Sequence, residues 1–155
     1  MLKLCDHTSV GILVKRDNDI LLIQRARIPF GYALPAGHVD GDANFEIAAA
    51  RELKEETGLI AGSLRLVVEG RRENLCRREG GNWHEWKIYE CEAEGELRPN
   101  PDEVKRIGYY SVHDLRLLAR RSEKYLAGEM TEEEWQILPG LEPVMLEWFK
   151  QIKLL

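Results

Sequence analysis

Three glutamates in the stretch RELKEETGL, residues 51–59, have the types and spacing that most directly suggest chemistry in this chain. If the stretch is helical, Glu55 and Glu56 lie about −60° and about +40° around the axis from Glu52, since successive residues are about 100° apart. Like charges at this spacing destabilise a helix by a few tenths of a kcal/mol per pair. A hard divalent cation such as Mg²⁺ would remove that cost, because it binds carboxylate oxygens. An ordinary solvated helix face is the alternative, and the geometry alone leaves both open.

The surrounding residues predict that this stretch ends a helix. Asn44 is a suitable N-cap, and Glu46 in the first turn complements the helix dipole. The alanines at 48–50 favour a helix, and Gly58 is the residue type expected to end it in the left-handed conformation. The predicted helix therefore runs from about residue 45 to 57 and follows a glycine-containing loop.

The rest of the chain predicts strands and helices without strict alternation. Strands are expected at 10–14, 20–24, 64–71, 83–95 and 105–112, with the first two joined as a hairpin across the turn RDND. Two capping boxes, at Ser111 and Thr131, begin short helices. The segment Pro139-Gly140 breaks the second of these, and a last helix then continues to the chain end. This mixture predicts a single α/β domain over residues 1–155.

Size and charge argue against several classes of protein. A chain of 155 residues fits one domain with one sizeable core. A net charge of −5 disfavours general nucleic-acid binding. No apolar run approaches the roughly 20 residues of a membrane span, and no signal peptide is recognisable. We therefore expect a cytoplasmic protein without a membrane or general nucleic-acid partner.

The three cysteines, Cys5, Cys76 and Cys91, are odd in number and far apart. Because no CxxC pair is present, they predict neither a zinc ribbon nor a disulfide framework. Cys5 and His7 are faintly similar to half of a metal site, but a small buried thiol beside a surface imidazole is the favoured interpretation. Reduced thiols agree with a cytoplasmic location.

The residues around the glutamates closely resemble the signature of the Nudix hydrolase family, G-x5-E-x7-R-E-U-x-E-E-x-G-U, where U is a bulky aliphatic residue. Eight of the nine specified positions match, namely Gly37, Arg51, Glu52, Leu53, Glu55, Glu56, Gly58 and Leu59. The turn LPAGHVD and the preceding hairpin are also similar to the family, so the resemblance covers roughly residues 8–118. It implies an α/β/α sandwich with a central mixed β-sheet.

One position departs from the signature, because Ala43 stands where the family has its first glutamate. In the family that glutamate supports the loop–helix–loop, often through the arginine that Arg51 matches. Asp42 is the neighbouring substitute, and Asp40 is another candidate. The departure bears on the expected catalytic rate more than on metal binding, because the three later glutamates are intact.

The resemblance implies a pyrophosphohydrolase that depends on Mg²⁺ or Mn²⁺ and cleaves the diphosphate bond of a nucleoside diphosphate linked to another moiety. Nucleoside triphosphates, oxidised nucleotides, ADP-ribose and nucleotide sugars are the substrates it leaves open. The implied metal ligands are Glu52, Glu55, Glu56 and the carbonyl of Gly37 or of the residue before it. Such ions would screen phosphate oxygens, activate water and stabilise the leaving phosphate. A homodimer is also open, since dimers are common in the family.

The general base and the substrate contacts are less defined by the resemblance. Family members place the base on a motif glutamate or on an acid in a later loop, so the catalytic candidates are Glu52, Glu55 and Glu103. The candidates for substrate binding are Arg25, which could bind phosphate, and Tyr32, Trp83 and His84, which could stack on a base. Each of these residues could instead have an ordinary structural role. The arginines at 71, 72, 77 and 78 could also hold phosphate, but a role in keeping the end of a hairpin solvated is favoured.

Two other functions remain open on the same fold. One is a non-catalytic module that binds a nucleotide, for which Ala43 is the sole support. The other is an enzyme of the isopentenyl-diphosphate isomerase type, which no residue of this chain specifically favours. In this family, loops of variable length determine the substrate.

Overall fold

A buried hairpin forms the centre of the molecule. The computed structural model describes residues 2–155, and Met1, the first residue of the predicted domain, lies outside them. Strands β1 (Thr8–Arg16) and β2 (Asp19–Arg25) pair antiparallel, which confirms the predicted hairpin. Their central residues are buried on both faces, because helices cover both sides of the sheet. This explains why these strands are continuous apolar runs instead of alternating patterns.

The sheet is mixed, as predicted. The further strands are β3 (Tyr32–Ala33), β4 (Ala36–Gly37), β5 (Ile60–Ala61), β6 (Arg65–Arg72), β7 (His84–Cys91), β8 (Ala93–Glu94) and β9 (Val104–Tyr110). Within residues 2–155, seven strands form one sheet in the order β3-β2-β1-β7-β6, with β4 also on β1 and β9 on β2. The pairing of β1 with β7 is parallel, and the other pairings in this sheet are antiparallel. Strands β5 and β8 form a separate pair.

Four helices are assigned within the described residues: α1 (Phe45–Thr57), α2 (Val112–Leu126), α3 (Glu132–Ile137) and α4 (Pro143–Gln151). Helix α1 has the predicted bounds, with the Asn44 side chain accepting the Ile47 N–H at 2.8 Å and Gly58 left-handed at φ 81°. Both predicted capping boxes are formed. Helix α4 ends before the chain end to which the last helix was predicted to continue. No helix within residues 2–155 is long and apolar enough to cross a membrane.

The helices cover the two faces of the sheet and complete the predicted α/β/α sandwich. One core cluster joins the inner face of α1, including Ala49 and Leu53, to the sheet through Ile12. The other joins α2 and α4 to the opposite face and contains Trp148 and Phe149, both fully buried.

The C-terminal region, for which the sequence gives no role, holds the loop before β3 in place. The Tyr32 N–H donates to the Gly140 carbonyl at 2.8 Å, and the Glu142 N–H donates to the Tyr32 carbonyl at 2.9 Å. The indole N–H of Trp135 donates to the Phe30 carbonyl at 3.2 Å. These contacts position one end of α4 beside the segment that leads into β4 and α1.

Replacing the N-cap should destabilise α1 and with it the fold. We expect Asn44→Ala to lower the free energy of unfolding by about 1 kcal/mol, because the Ile47 N–H loses its acceptor. Urea denaturation measures the change, and Asn44→Asp, which keeps a side-chain oxygen, is the control. Equal losses in the two variants would contradict the role of the cap.

Candidate active site

Two of the three clustered glutamates of α1 face a strand and a cavity more than solvent. Glu52 and Glu56 are 8% and 5% exposed, and Oε1 of Glu56 accepts the Ala36 N–H at 3.0 Å. The Glu52 carboxylate lies so close to the backbone of Gly37 that any side chain at that position would overlap it. The Glu55 side chain is half-exposed. A solvated helix face therefore describes Glu55 alone among the three.

Arg51 connects the loop before α1 to the glutamates. Its Nε donates to Oδ2 of Asp42 at 2.8 Å, and one terminal nitrogen donates to the His38 carbonyl at 2.8 Å. The other terminal nitrogen donates to Glu52 at 2.8 Å and to Glu55 at 3.2 Å. Asp42, the residue beside Ala43, thus makes a contact of the kind expected from the missing signature glutamate.

Asp40, the other candidate substitute for the missing glutamate, has a different partner. Its two carboxylate oxygens accept from the guanidinium of Arg78 at 2.5 and 2.6 Å. The hydrogen bonds from Arg78 hold the pKa of Asp40 down to about 2, against the effect of partial burial. Asp40 therefore belongs to an ion pair with the β6–β7 connection and not to the support of α1.

Burial of the two inner glutamates disfavours their charged forms. Burial raises the pKa of Glu52 to about 7, although hydrogen bonds from Arg51 oppose the rise. The pKa of Glu56 is raised well above its usual range by burial and then by the negative charge of Glu52. Two adjacent buried carboxylates are costly without a counter-charge. A divalent cation would supply that charge, so the donor set of carboxylate oxygens fits Mg²⁺ or Mn²⁺.

A cavity of about 210 Å³ opens beside these glutamates. Acidic and basic side chains both line it; the acids are Glu52, Glu56, Glu103 and Glu142, and the bases are Arg25, Arg27, Arg77 and Arg78. Carboxylates suit a hard cation, and guanidinium groups suit phosphate oxygens, which they bind in a bidentate manner. The cavity thus combines the two kinds of group needed to hold a metal–phosphate complex.

Several residues singled out in the sequence meet at this cavity. Arg25, Gly37 and His84 line it together with Glu52, Glu56 and Glu103. The Arg25 side chain donates to the Pro29 carbonyl at 2.6 Å, which fixes the loop after β2. The side chain of His84 is 1% exposed, and its Nε2 lies 3.4 Å from Sγ of Cys5. The imidazole therefore has a protein neighbour that the sequence does not reveal.

Tyr32 and Trp83 are not among the residues that line the cavity. Tyr32 is buried, donates its hydroxyl to Gln24 at 3.2 Å and packs edge-on against Tyr110. Trp83 stacks on His7, with ring centroids 4.1 Å apart, and the Arg71 guanidinium lies 4.1 Å from the same indole ring. Trp83 is therefore engaged by two neighbours of the same chain.

Other residues of the cavity were missed by sequence reasoning. Glu142 is 6% exposed, and burial raises its pKa. It precedes Pro143, which marks a helix start, but no sequence signal shows that this helix begins beside the cavity. Arg77 and Arg78 also line the cavity. The interpretation favoured from the sequence was that they only keep the end of a hairpin solvated. Their charge was evident, but their position depends on how the β6–β7 connection folds back.

A glutamate at position 43 should be able to replace Asp42 as the partner of Arg51. We expect Asp42→Ala to weaken Mg²⁺ binding about 10-fold, because Arg51 loses a partner that orients it toward the glutamates. The double variant Asp42→Ala/Ala43→Glu should restore binding, and Ala43→Glu alone should change it little. Calorimetric titration with Mg²⁺ measures all three. Binding unaffected by Asp42→Ala, or not restored in the double variant, would refute the compensation.

Comparison with known proteins identifies relatives of this chain. The family model described as the NUDIX domain matches residues 6–140. The ADP-ribose pyrophosphatase of Methanocaldococcus jannaschii is 33% identical over 128 residues, which cover 80% of this chain and 74% of that protein.

Solved structures show the same fold. The MutT NUDIX hydrolase from Burkholderia pseudomallei has a TM-score of 0.57 and 27% identity, covering 69% of this chain and 84% of that one. The NUDIX domain of Shewanella oneidensis NrtR, solved in complex with ADP ribose, has a TM-score of 0.64. It is 16% identical, with 99% and 88% of the two chains covered, and supports the fold alone. Since the family model spans most of the chain and a relative is 33% identical along most of both lengths, the chain belongs to the Nudix hydrolase family.

Proposed function

We propose that the protein is a pyrophosphohydrolase that depends on a divalent cation, Mg²⁺ or Mn²⁺, and cleaves the diphosphate bond of a nucleoside diphosphate linked to another moiety. The burial of Glu52 and Glu56 together, against Gly37 and beside an arginine-lined cavity, carries the proposal. Such burial is unfavourable unless a cation compensates the charge. A cation held next to arginines is in turn suited to a polyphosphate substrate.

The proposed metal ligands are Glu52, Glu55, Glu56 and the backbone carbonyl of Gly37. Arg51 contacts Glu52 and Glu55 from one side and thereby limits the rotamers they can adopt. When bound, the cation would screen the phosphate oxygens and lower the pKa of a coordinated water. The protein contributes the fixed carboxylates and the close approach of α1 to β4 that glycine permits.

Glu103 is our preferred general base, with Glu52 as the candidate within the motif and Glu55 as a further catalytic candidate. The Glu103 carbonyl accepts the Ala26 N–H at 2.9 Å, which ties its turn to the end of β2. Its side chain lines the cavity, and its negative charge contributes to the raised pKa values of Glu52 and Glu56. A carboxylate that interacts with the metal ligands without belonging to α1 is well placed to accept a proton from water.

Phosphate binding falls to the arginines of the cavity. Arg78 already donates both ends of its guanidinium to Asp40, so Arg25, Arg27 and Arg77 are the proposed phosphate ligands. His84 remains a substrate candidate by its position, whereas we do not extend the proposal to Tyr32 and Trp83, which lie away from the cavity lining.

ADP-ribose is the first substrate to test, because the relative at 33% identity is named an ADP-ribose pyrophosphatase. Nucleoside triphosphates, oxidised nucleotides and nucleotide sugars follow. A cytoplasmic location and a homodimer stay predictions.

Removing the charge of either buried glutamate should strongly slow hydrolysis. We expect Glu52→Gln and Glu56→Gln each to lower kcat by on the order of 10²–10⁴-fold, since each removes a proposed metal ligand and Glu52 is also a candidate base. Glu103→Gln should lower kcat with little change in Mg²⁺ affinity. The rates are measured as AMP released from ADP-ribose in the presence of Mg²⁺ or Mn²⁺. Chromatography quantifies the AMP.

The matched control for these variants is Glu133→Gln, which changes an exposed glutamate on α3. It should retain the rate of the unmodified protein. Retained activity in Glu52→Gln and Glu56→Gln would refute the assignment. Tight ADP-ribose binding without turnover of any nucleotide would support a non-catalytic module instead.

The stability of the metal-free protein should fall as pH rises. Burial raises the pKa of Glu52 from 4.5 to about 7, so the folded state holds a proton that the unfolded chain releases. The contribution of Glu52 to stability is therefore full below about pH 4.5 and lost as pH rises through about 7. Urea denaturation across this range, with and without Mg²⁺, measures the effect.

Two comparisons make this pH test specific. Glu52→Gln should show a weaker dependence on pH, because the amide does not titrate. Mg²⁺ should stabilise the unmodified protein more at high pH than at low pH, since the cation needs the deprotonated carboxylate. Identical pH profiles for the two proteins would show that Glu52 does not titrate in this range.

A further inference from the structure

Four side chains that the proposed hydrolysis does not require as metal ligands lie close together: Cys5, His38, Cys76 and His84. All but Cys5 line the cavity. Each offers one sulphur or ring nitrogen, and these four atoms lie within 4.8 Å of one another. Cys5 precedes β1, His38 follows β4, Cys76 lies in the β6–β7 connection and His84 begins β7. The cluster thus joins four separate segments of the chain.

We propose that these residues form a Cys₂His₂ site for one Zn²⁺ ion, distinct from the glutamate site; His84 would then be a zinc ligand and not a substrate contact. Thiolate and imidazole ligands select zinc over hard cations such as Mg²⁺. Four protein ligands leave no open coordination position, so the ion is structural and not catalytic. It fixes the segment before β1 and the β6–β7 connection to the loop that follows Gly37.

The distances from the Cys5 sulphur fit tetrahedral coordination. With Zn–S bonds of about 2.3 Å and Zn–N bonds of about 2.0–2.1 Å, a tetrahedron places two sulphurs about 3.8 Å apart and a sulphur about 3.6 Å from a nitrogen. Sγ of Cys5 lies 3.8 Å from Sγ of Cys76, 3.6 Å from Nε2 of His38 and 3.4 Å from Nε2 of His84. The Cys5 sulphur is therefore spaced to share one ion with each of the other three groups, and all four ligand atoms lie within 4.8 Å of one another.

Backbone N–H groups donate to the sulphurs of both cysteines. The His7 N–H donates to Sγ of Cys5 at 3.3 Å, and the Arg78 N–H donates to Sγ of Cys76 at 3.4 Å. In both cases the donor is two residues after the cysteine. Such backbone hydrogen bonds orient a ligating sulphur and tune a metal site. A side chain at Gly81 would overlap Sγ of Cys76, so glycine gives that sulphur its space.

The same segments already pair through their backbones. The Cys5 N–H donates to the Glu79 carbonyl at 2.9 Å, and the Glu79 N–H donates to the Lys3 carbonyl at 3.0 Å. The Cys76 N–H donates to the Gly81 carbonyl at 2.8 Å, which closes the loop that carries Cys76. Few apolar side chains belong to this loop, and Leu75 is 69% exposed. A metal ion would supply the cross-link that hydrophobic packing does not.

Cobalt substitution of the reduced, unmodified protein tests the site directly. We expect one zinc per chain by mass spectrometry of the purified protein. After exchange to Co²⁺ we expect a thiolate-to-cobalt charge-transfer band and the visible bands of a tetrahedral ion. Cys5→Ser and Cys76→Ser should lower zinc affinity by on the order of 100-fold and remove the charge-transfer band. Cys91→Ser is the matched control, because Cys91 is a free, buried cysteine of the core beneath α1 and not one of the four residues.

The results that overturn the proposal are equally specific. Absence of the cobalt bands in the unmodified protein would overturn the zinc site. This measurement uses no variant, so it does not depend on whether a variant folds. Equal loss of the bands in Cys91→Ser would assign them elsewhere. A Cys5–Cys76 disulfide, found by alkylation of the freshly purified and denatured protein, would make the cluster a redox pair instead. Glu56→Gln should retain its zinc, so failure of hydrolysis and failure of the zinc site are distinguishable.

Discussion

The close approach of α1 to β4 is the constraint on which the site depends. Gly37 lies against the Glu52 carboxylate, and the Ala36 N–H donates to Glu56, so the helix and the strand meet through a carboxylate layer instead of through apolar side chains. The helix tolerates this because its other face, with Ala49 and Leu53, is buried in the core. Hydrophobic packing thus provides the free energy that holds two charges where they are individually unfavourable.

The walls of the cavity come from elements that are distant in sequence. Glu142 reaches the cavity because the start of α4 packs against Gly31, where a side chain would collide with the backbone of Glu142. Glu103 reaches it because its carbonyl accepts the Ala26 N–H, beside the end of β2. Glu103 and Glu142 add their negative charge to that of the α1 glutamates. The positive charge of Arg25 partly offsets it, since it lowers the pKa values of Glu56 and Glu142. The balance favours ligands that bring both a cation and phosphate groups.

Local signals were sufficient to predict α1, since Asn44 and Gly58 specify its ends and the signature specifies its glutamates. The hairpin and both capping boxes were predicted for the same reason. The pairing of β1 with β7 has no local signal, because parallel strands that are far apart in sequence pair through tertiary packing. Its register sets Thr8 opposite Glu85 and so brings the segment with Cys5 to His84. The sequence therefore suggested Cys5 with His7, whereas the ring of His7 packs on Trp83.

Two consecutive residues connect the two proposed metal sites. Gly37 contacts the Glu52 carboxylate, and the side chain of His38 lies beside Cys5. The His38 carbonyl also accepts from Arg51, which in turn holds Glu52. An ion bound by the cysteines and histidines would fix the peptide that follows Gly37 and thereby the position of the proposed carbonyl ligand. Ligand chemistry keeps the sites separate, because thiolate and imidazole groups favour zinc and carboxylates favour harder cations. One loop can then serve both sites without exchange of their ions.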